Sequence, residues 1–431
     1  MKKLTYKDSL EFLYTQLPMF SRIGAAAYKP GLRRVINLSK FFGEPHKKFK
    51  SIHVGGTNGK GSTSHLLASV LQSAGYRVGL YTSPHLVDFR ERMKINGKMI
   101  PKKRVVEFVE KWRESNYSGK PSFFELTMIM AFDWFAKEKV DYAVIEVGMG
   151  GRLDSTNIIA PELCVITNIS HDHNQFLGAT LEEIATEKAG IIKKRTPIVI
   201  GETQIETAPI FSERAKSVGS EITFADRTDD EIIIEESEKG YGWDINYNGQ
   251  TFYLPLGGDY QKKNIVTVLQ AVKQLRVHGL DIKDKALKKG IEQVVNKTGL
   301  AGRWMILSDK PLTIADTGHN IAGLTYNFQQ LATLLNRRGG KLRVVIGFVA
   351  DKAIDKILGI LPRDASYYLT NAKIPRALPV AQLKEKFLEF GIEGKSFPGV
   401  KEAYKEAQKE ASEKDIIFIG GSTFIVADLL T

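Results

Sequence analysis

The sequence of 431 residues has a single cysteine, Cys164. One cysteine excludes an intrachain disulfide framework and a cysteine-rich zinc site. No apolar run approaches the ~20 residues that a membrane-spanning helix needs. The basic N-terminus lacks the apolar segment and cleavage site of a signal peptide. We therefore expect a cytoplasmic protein that has no membrane partner.

Positive charge is in excess, with a formal net charge of +12. A solvated lysine-rich surface, an acidic small molecule or nucleic acid could each account for this excess. The basic residues are mostly interleaved with Asp and Glu along the chain, and no known nucleic-acid-binding motif is present. The sequence favours the solvated surface first and an acidic substrate second, and we expect no nucleic-acid partner.

A glycine-rich segment at residues 55–62 reads Gly-Gly-Thr-Asn-Gly-Lys-Gly-Ser. It lies between the apolar residues 51–54 and a helix-patterned run at 63–73. A strand that passes through glycines into a helix directs several backbone N–H groups and the helix dipole at one point, where a phosphate fits. Lys60 can reach the outer phosphates, and the Ser62 or Thr63 hydroxyl can face them or a bound Mg²⁺. Glycine-rich turns also occur for structural reasons, but Lys-Gly-Ser at this place favours a nucleoside triphosphate loop.

Strand-like apolar stretches alternate with helical patterns in the first half of the chain. The predicted strands are residues 51–54, 76–81, 141–147 and 163–169. Such alternation predicts a parallel sheet. Ligands of parallel sheets gather beyond the carboxyl ends of the strands. The glycine-rich loop, Ser83, Glu146 and His173 all lie at such ends, so we expect them at one edge of the sheet.

The remaining patterns complete an α/β fold. The sequence predicts a P-loop parallel-sheet domain at 1–297, with a small β-hairpin element, and a second Rossmann-like α/β domain at 298–431. The hairpin is predicted around Asn248-Gly249, because Asn-Gly lies between two alternating runs. The other predicted elements are a loop at 21–31 between two helices, a helix at 261–277, and strands at 312–315, 342–348, 366–370 and 416–419.

Four polar residues are candidates for chemistry. A carboxylate as deep as Glu146 must be paired, protonated or metal-bound, or else it caps a helix. His173 is either a metal ligand or a surface residue, and Ser83 is either a neutral oxygen ligand or the start of a helix before Pro84. Magnesium suits oxygen-rich sites that are bridged by phosphates. By chemistry alone, Lys188 complements the dipole of the helix that ends near Gly190.

The glycine-rich loop departs from the G-x-x-x-x-G-K-[ST] pattern, which would need glycine where Lys60 stands. From Thr57 onward, Thr-Asn-Gly-Lys-Gly-Ser resembles the ATP loop of the Mur ligase superfamily, and most of all that of folylpolyglutamate synthase and the related dihydrofolate synthase. Further motifs resemble this family in the same order along essentially the whole chain. They lie at residues 82–86, 146–157, 172–178, 188–191, 258–264, 302–303 and 316–320.

The resemblance implies roles for residues of this chain. The residues implied to bind ATP are Thr57, Asn58, Gly59, Lys60, Gly61, Ser62, Asn264, Arg303, Asp316 and His319. The residues implied to hold magnesium, as two ions, are Ser83, Glu146 and His173. The residues implied to line the folate or pterin side are Ser122, Phe123, Phe124, Glu125, Leu153, Asp154 and Ser155. The resemblance also implies that Lys188 is carbamylated, and this role replaces the interpretation of Lys188 as a complement to the helix dipole. The residues implied to be catalytic are Lys60, Lys188 and His173.

The function implied is that of an ATP-dependent amide ligase, monomeric like its family. It would add L-glutamate to tetrahydrofolate or its polyglutamate tail through an acyl phosphate, forming ADP and phosphate. A bifunctional enzyme that also makes dihydrofolate from dihydropteroate and glutamate is the alternative. A peptidoglycan-precursor ligase is disfavoured because such enzymes place a nucleotide-substrate domain before the ATP loop. A P-loop regulatory or nucleic-acid-binding ATPase would leave Arg303 and Asp316 unexplained.

Two departures from the family pattern limit the transfer of roles. The chain has Asp316-Thr317-Gly318 where the family usually has Asp-Gly-Ala, but it keeps His319 and Asn320. It has Ala353 at the end of Asp-Lys-Ala where Asp-Lys-Asp is common. No role is therefore assigned to position 353.

Overall fold

The computed structural model describes residues 3–19, 31–350 and 354–431. Most of the loop predicted at 21–31, and the departure at Ala353, lie outside the described residues. The chain divides into two compact units. The first unit comprises Met1–Ile234, Ile245–Tyr253 and Lys263–Leu300, and the second comprises Glu235–Asp244, Leu254–Lys262 and Ala301–Thr431.

An eight-stranded sheet organises the first unit, in the order β4-β3-β2-β5-β1-β6-β7-β8. Its strands are β1 (Lys50–Gly55), β2 (Val78–Tyr81), β3 (Met93–Ile95), β4 (Lys98–Met99), β5 (Tyr142–Glu146), β6 (Leu163–Ile166), β7 (Ile198–Ile200) and β8 (Ile222–Phe224). The neighbours from β2 to β8 pair in parallel, which confirms the α/β prediction. The edge strands β3 and β4 pair antiparallel and were not predicted.

Helices pack on the two faces of this sheet. They are α1 (Tyr6–Gln16), α2 (Arg33–Phe41), α3 (Lys60–Ser73), α4 (Lys102–Glu114), α5 (Phe123–Lys137), α6 (Asn174–Leu177), α7 (Leu181–Ala189) and α8 (Ala208–Val218). One apolar core gathers residues of α1, α2, α4 and α5 with β2 and β5. A second core joins β6 and β7 to α7 and α8. Each core thus covers strands whose carboxyl ends carry candidate residues.

A small three-stranded sheet contains the predicted hairpin. Its strands are β9 (Ile232–Glu236), β10 (Trp243–Tyr247) and β11 (Gln250–Leu254), in the order β11-β10-β9. Asn248 and Gly249 form the turn between β10 and β11, which confirms the hairpin. Three helices follow: α9 (Gln261–Val277), α10 (Asp284–Glu292) and α11 (Val294–Thr298). The helix predicted at 261–277 has the observed bounds.

The second unit has a six-stranded sheet in the order β12-β13-β17-β14-β15-β16. Its strands are β12 (Met305–Asp309), β13 (Leu312–Ala315), β14 (Leu342–Ile346), β15 (Ser366–Leu369), β16 (Gly394–Ser396) and β17 (Ile416–Gly420). Its helices are α12 (Ile321–Arg338), α13 (Ile354–Leu358), α14 (Val380–Glu389), α15 (Val400–Glu410) and α16 (Thr423–Leu430). All neighbours from β13 to β16 pair in parallel, as expected of a Rossmann-like domain, and β12 pairs antiparallel. Within the described residues, no helix is long and apolar enough to cross a membrane.

Candidate active site

The glycine-rich loop connects β1, which ends at Gly55, to α3, which begins at Lys60. The helix begins three residues before the predicted run, directly after Gly59. Gly59 has φ +85°, and a Cβ on it would lie 2.2 Å from Oδ1 of the buried Asn264, so only glycine fits. The N-cap of α3 is Gly59, which has no side chain to cap the helix, and the first N–H groups of a helix have no partner within the helix. This end of α3 can therefore receive an anion, with Asn264 beside the loop.

The segment that follows β6 supports the loop from behind. The N–H of Thr57 donates to the carbonyl of Asn168 at 2.8 Å, and the N–H of Asn58 donates to Oδ1 of Asn168 at 3.0 Å. The Thr57 hydroxyl donates to the carbonyl of Ser170 at 3.1 Å and accepts from its N–H at 3.0 Å. The Thr167 hydroxyl donates to the carbonyl of Asn58 at 2.5 Å. The N–H groups of Thr57 and Asn58 thus shape the loop, and the N–H groups in the first turn of α3 are the ones that a phosphate would engage.

These supporting residues were missed in the sequence. The predicted strand extended to residue 169, whereas β6 ends at Ile166. Thr167 and Asn168 are therefore the first residues beyond the strand rather than its last. Two polar residues directly after an apolar strand, at the carboxyl edge of a parallel sheet, were the signal that could have identified them.

Two lysines donate to one carbonyl of the loop. Nζ of Lys60 donates to the carbonyls of Gly56 and Thr57, both at 3.0 Å. Nζ of Lys188, buried in the last turn of α7, donates to the carbonyl of Gly56 at 2.9 Å. Burial, reinforced by the charge of Lys60, lowers the pKa of Lys188 from 10.5 to about 7. Lys188 is thus directed at the loop, and a substantial fraction of its amine is neutral near pH 7.

The loop after β5 fixes the end of α7 and with it Lys188. A Cβ on Gly151 would lie 2.7 Å from the carbonyl oxygen of Glu187 and 2.9 Å from that of Lys188. The N–H of Arg152 donates to the carbonyl of Glu187 at 2.7 Å, and their side chains form an ion pair at 2.7 Å. This close approach gives a physical reason for glycine at position 151.

The residues expected to hold metal lie at the same edge of the sheet, since β2, β5, β1 and β6 are neighbours. Glu146 is the buried last residue of β5, and its Oε2 accepts a hydrogen bond from the N–H of Ser83 at 2.9 Å. His173 has φ 53° and lies beside Asp172, with 3.8 Å between its Nε2 and the Asp172 Oδ2. Within residues 3–19, 31–350 and 354–431, no three His, Cys, Asp or Glu side chains form a metal-binding group. A carboxylate and a hydroxyl, with phosphate oxygens to complete the shell, nevertheless suit magnesium.

The first residues expected on the folate side form a helix cap. Ser122 is the N-cap of α5, and its hydroxyl accepts from the N–H of Glu125 at 3.2 Å. Oε2 of Glu125 accepts from the N–H of Ser122 at 2.7 Å, while Oε1 lies 3.4 Å from Nε of Arg34. Phe123 is buried and Phe124 is partly buried. Ser122 and Glu125 therefore account for the start of α5.

Asp154 organises the second folate-side segment. Oδ2 accepts from the N–H of Met149 at 2.9 Å. Oδ1 accepts from the N–H and the hydroxyl of Thr156, at 2.9 and 2.5 Å. Burial raises the pKa of Asp154 from its ordinary value. Its neighbours Leu153 and Ser155 are partly buried.

Asp316 is the centre of a hydrogen-bond cluster in the second unit. The buried carboxylate accepts from the Tyr260 hydroxyl at 2.5 Å and from the N–H of Trp304 at 2.7 Å. It also accepts from the N–H of Gly318 at 2.7 Å and from Nδ2 of Asn327 at 2.9 Å. Through these four hydrogen bonds, Asp316 holds the surrounding backbone and side chains in place, independently of any role in binding ATP.

The remaining predicted residues of the second unit lie close to Asp316 in the chain. Nη1 of Arg303 donates to the carbonyl of Gly302 at 3.2 Å. Nδ1 of His319 lies 3.1 Å from the carbonyl oxygen of Thr317. Asn320 is the N-cap of α12, so its place in the motif follows from the helix start.

Family models cover both halves of the chain. The Mur ligase middle domain matches residues 54–272, and the Mur ligase glutamate ligase domain matches residues 302–423. The dihydrofolate synthase/folylpolyglutamate synthase of Bacillus subtilis is 31% identical over 441 residues, which is 98% of this chain and 98% of the relative. The chain belongs to the folylpolyglutamate synthase/dihydrofolate synthase family of Mur ligases. The resemblance seen in its motifs is thereby confirmed.

Solved structures of the family share the whole architecture. The structure described as E. coli FolC in complex with DHPP and ADP has a TM-score of 0.82 and 30% identity, and it covers 99% of this chain and 97% of its own. The bifunctional folylpolyglutamate synthase/dihydrofolate synthase of Yersinia pestis, complexed with AMPPNP and Mn ion, has a TM-score of 0.82 and 28% identity, with coverage of 99% and 97%. The match thus extends over both α/β parts of the family fold.

Proposed function

We propose that the protein is an ATP-dependent carbon–nitrogen ligase that joins the amine of L-glutamate to a carboxylate of tetrahydrofolate or its polyglutamate tail. The observation that carries this proposal is the carboxyl edge of the first sheet. There the glycine-rich loop and the Ser83–Glu146 pair lie at the ends of the neighbouring strands β1, β2 and β5, and Lys60 and Lys188 both donate to the loop. The names of the relatives support the substrate class.

The chemistry proceeds through an acyl phosphate. A free carboxylate resists attack by an amine because its leaving group is poor, and transfer of the γ-phosphoryl group of ATP replaces it with phosphate. This transfer needs mainly positioning and neutralisation of charge. The glutamate amine then attacks the acyl carbon, the C–O bond to phosphate breaks, the amine loses a proton, and the products are an amide, ADP and phosphate.

Residues of the loop have definite tasks in this scheme. The N–H groups at the start of α3 bind the phosphates, and the Gly59–Asn264 contact fixes the turn that directs them. Lys60 leaves the carbonyls of Gly56 and Thr57 for the outer phosphates. Ser83, Glu146 and His173 would hold magnesium, which supplies positive charge against the phosphate oxygens.

Lys188 is suited to carbamylation. Only a neutral amine adds CO₂, and the pKa of Lys188 is lowered to about 7 by burial and by Lys60. Lys60 and Lys188 donate to the same carbonyl of Gly56, so conversion of one cation to an anionic carbamate removes their repulsion. Labelling with ¹³C-bicarbonate tests this step: a carbamate signal is expected in the native protein and not in Lys188→Met.

Release of phosphate from ATP tests the proposed function, with magnesium and glutamate present and with tetrahydrofolate, dihydropteroate or no acceptor. Release stimulated by tetrahydrofolate alone marks an enzyme that extends folate tails. Stimulation by both acceptors marks the bifunctional alternative, which the two-activity names of the relatives favour. Stimulation by neither contradicts the proposal.

The substitution Lys60→Ala is expected to reduce turnover by at least about a hundredfold, because one positive charge on the transferred group is lost. Circular dichroism and the unfolding midpoint should match those of the native protein. Activity retained by a folded Lys60→Ala variant would refute the role of this lysine.

A further inference from the structure

Gln204 lies outside every motif of the sequence, in the segment that follows β7. Its side-chain amide forms two hydrogen bonds with one residue of the neighbouring segment. Oε1 accepts from the N–H of Ile169 at 2.9 Å, and Nε2 donates to the carbonyl of Ile169 at 2.9 Å. The two bonds satisfy both backbone groups of a buried residue that is not part of a strand.

Ile169 lies between the residues that hold the ATP loop. Asn168 before it accepts from the N–H groups of Thr57 and Asn58, and Ser170 after it exchanges two hydrogen bonds with Thr57. Nδ2 of Asn58 also donates to the Ser170 hydroxyl at 3.2 Å. Displacement of Ile169 would therefore move Asn168 and Ser170, and with them their hydrogen bonds to the loop.

Gln204 is itself held from the other side. Its neighbour Thr203 donates from its N–H to Oδ2 of Asp226 at 2.8 Å and from its hydroxyl to Oδ1 at 2.5 Å. Asp226 follows β8, the outermost strand of this sheet. Segments after β8, β7 and β6 are thus linked in series to the loop after β1.

We infer that Gln204 is a positioning residue for ATP, acting through Ile169 on the N–H groups and side chains that shape the glycine-rich loop. The inference rests on the proposed ATP site. Gln204 has no assigned contact with a reactant, so its loss changes the affinity for nucleotide and not the affinity for the other two substrates.

The test compares Gln204→Leu with the native protein. AMPPNP binding is measured by calorimetry with magnesium, and KM is measured for ATP, glutamate and the folate substrate. Loss of two hydrogen bonds to a buried residue is expected to raise Kd for AMPPNP and KM for ATP about tenfold. KM for glutamate and for the folate substrate should stay unchanged. Amide hydrogen exchange at Thr57, Asn58 and Ile169 should accelerate.

Gln274→Leu is the matched control. Nε2 of Gln274 donates to the Thr223 hydroxyl at 2.9 Å and to Glu221 at 3.3 Å in the same unit, with no hydrogen bond to the segments at 55–60 or 167–170. The control should lower the unfolding midpoint without weakening AMPPNP binding. Thr203→Val gives a second route should Gln204→Leu not fold, and it should raise Kd in the same direction.

Three results would count against the inference. The first is a folded Gln204→Leu variant that binds AMPPNP as tightly as the native protein does. If only Thr203→Val folds, unchanged AMPPNP affinity in that variant counts in the same way. A second is equal weakening by Gln274→Leu. The third is a parallel rise of all three KM values. Failure of the native protein to bind AMPPNP would instead refute the proposed function, so the two failures are distinguishable.

Discussion

At the scale of single residues, Lys188 shows a conflict between stability and function. An ammonium group in a buried position is costly, and the lowered pKa of Lys188 expresses that cost. The hydrogen bond from Lys188 to the Gly56 carbonyl, an acceptor that Lys60 also uses, does not offset the loss of hydration of the ammonium group. A residue with this environment is better explained by chemistry than by folding.

Lys188→Met should therefore stabilise the ligand-free protein while abolishing ligase activity. The pKa of Lys188 is about 7 in the folded protein and about 10.5 when unfolded. The unfolded state binds the proton more tightly, so the penalty is complete below pH 7 and vanishes above 10.5. In CO₂-free buffer at pH 7, the free energy of unfolding should rise by a few kcal/mol.

Urea denaturation at pH 7 and at about pH 10 checks this prediction. The stabilisation by Lys188→Met should be larger at the lower pH. A variant that is less stable than the native protein at pH 7, or a difference that does not depend on pH, would contradict the role given to burial.

At the scale of elements, the strand ends were predictable and the segments behind them were not. Hydrophobic stretches predicted the positions of β1, β2, β5 and β6, and Ser83, Glu146 and His173 were noticed as polar residues at or beyond the ends of these strands. Gln204 was not predictable, because its contact with Ile169 depends on β7 lying next to β6, and sheet order is not contained in local sequence. The short strands β3 and β4 were missed because two or three residues give no periodic signal.

The start of α5 offers a test that separates helix capping from other roles of Ser122. Ser122→Ala removes the hydroxyl that accepts from the N–H of Glu125, so the free energy of unfolding should fall by about 1 kcal/mol. Ser122→Thr keeps an acceptor and should recover most of this loss. Urea unfolding of the two variants measures the difference, and equal stability of Ser122→Ala and the native protein would exclude a capping contribution.

At the scale of the whole molecule, the second unit contains a network of polar side chains that are joined by hydrogen bonds and ion pairs. In the second unit, Arg343 on β14 donates to Asp415 at 2.8 Å and to the Tyr368 hydroxyl at 2.7 Å. The Tyr368 hydroxyl in turn donates to Glu410 at 2.7 Å, and Lys395 also pairs with Glu410. No family motif of the sequence includes these residues.

This cluster should make stability depend on acid pH. Hydrogen bonds from Lys395 and from Tyr368 lower the pKa of Glu410 from 4.5 to about 2. Because the folded protein favours the carboxylate, this contribution is present above pH 4.5 and is lost as the pH falls toward 2. Glu410→Gln should show a shallower decline of the urea midpoint over that range, and an identical decline would show that Glu410 contributes nothing.

Both units match one family along nearly the whole chain. The proposed reaction depends on one chemical step, the activation of a carboxylate by phosphorylation. The most direct measurement uses a folate substrate whose reacting carboxylate carries ¹⁸O, followed by mass spectrometry of the phosphate released. Expulsion of phosphate from an acyl phosphate carries one carboxylate oxygen with it, so one ¹⁸O should appear in each phosphate formed with product. Amide product accompanied by unlabelled phosphate would contradict the acyl-phosphate route.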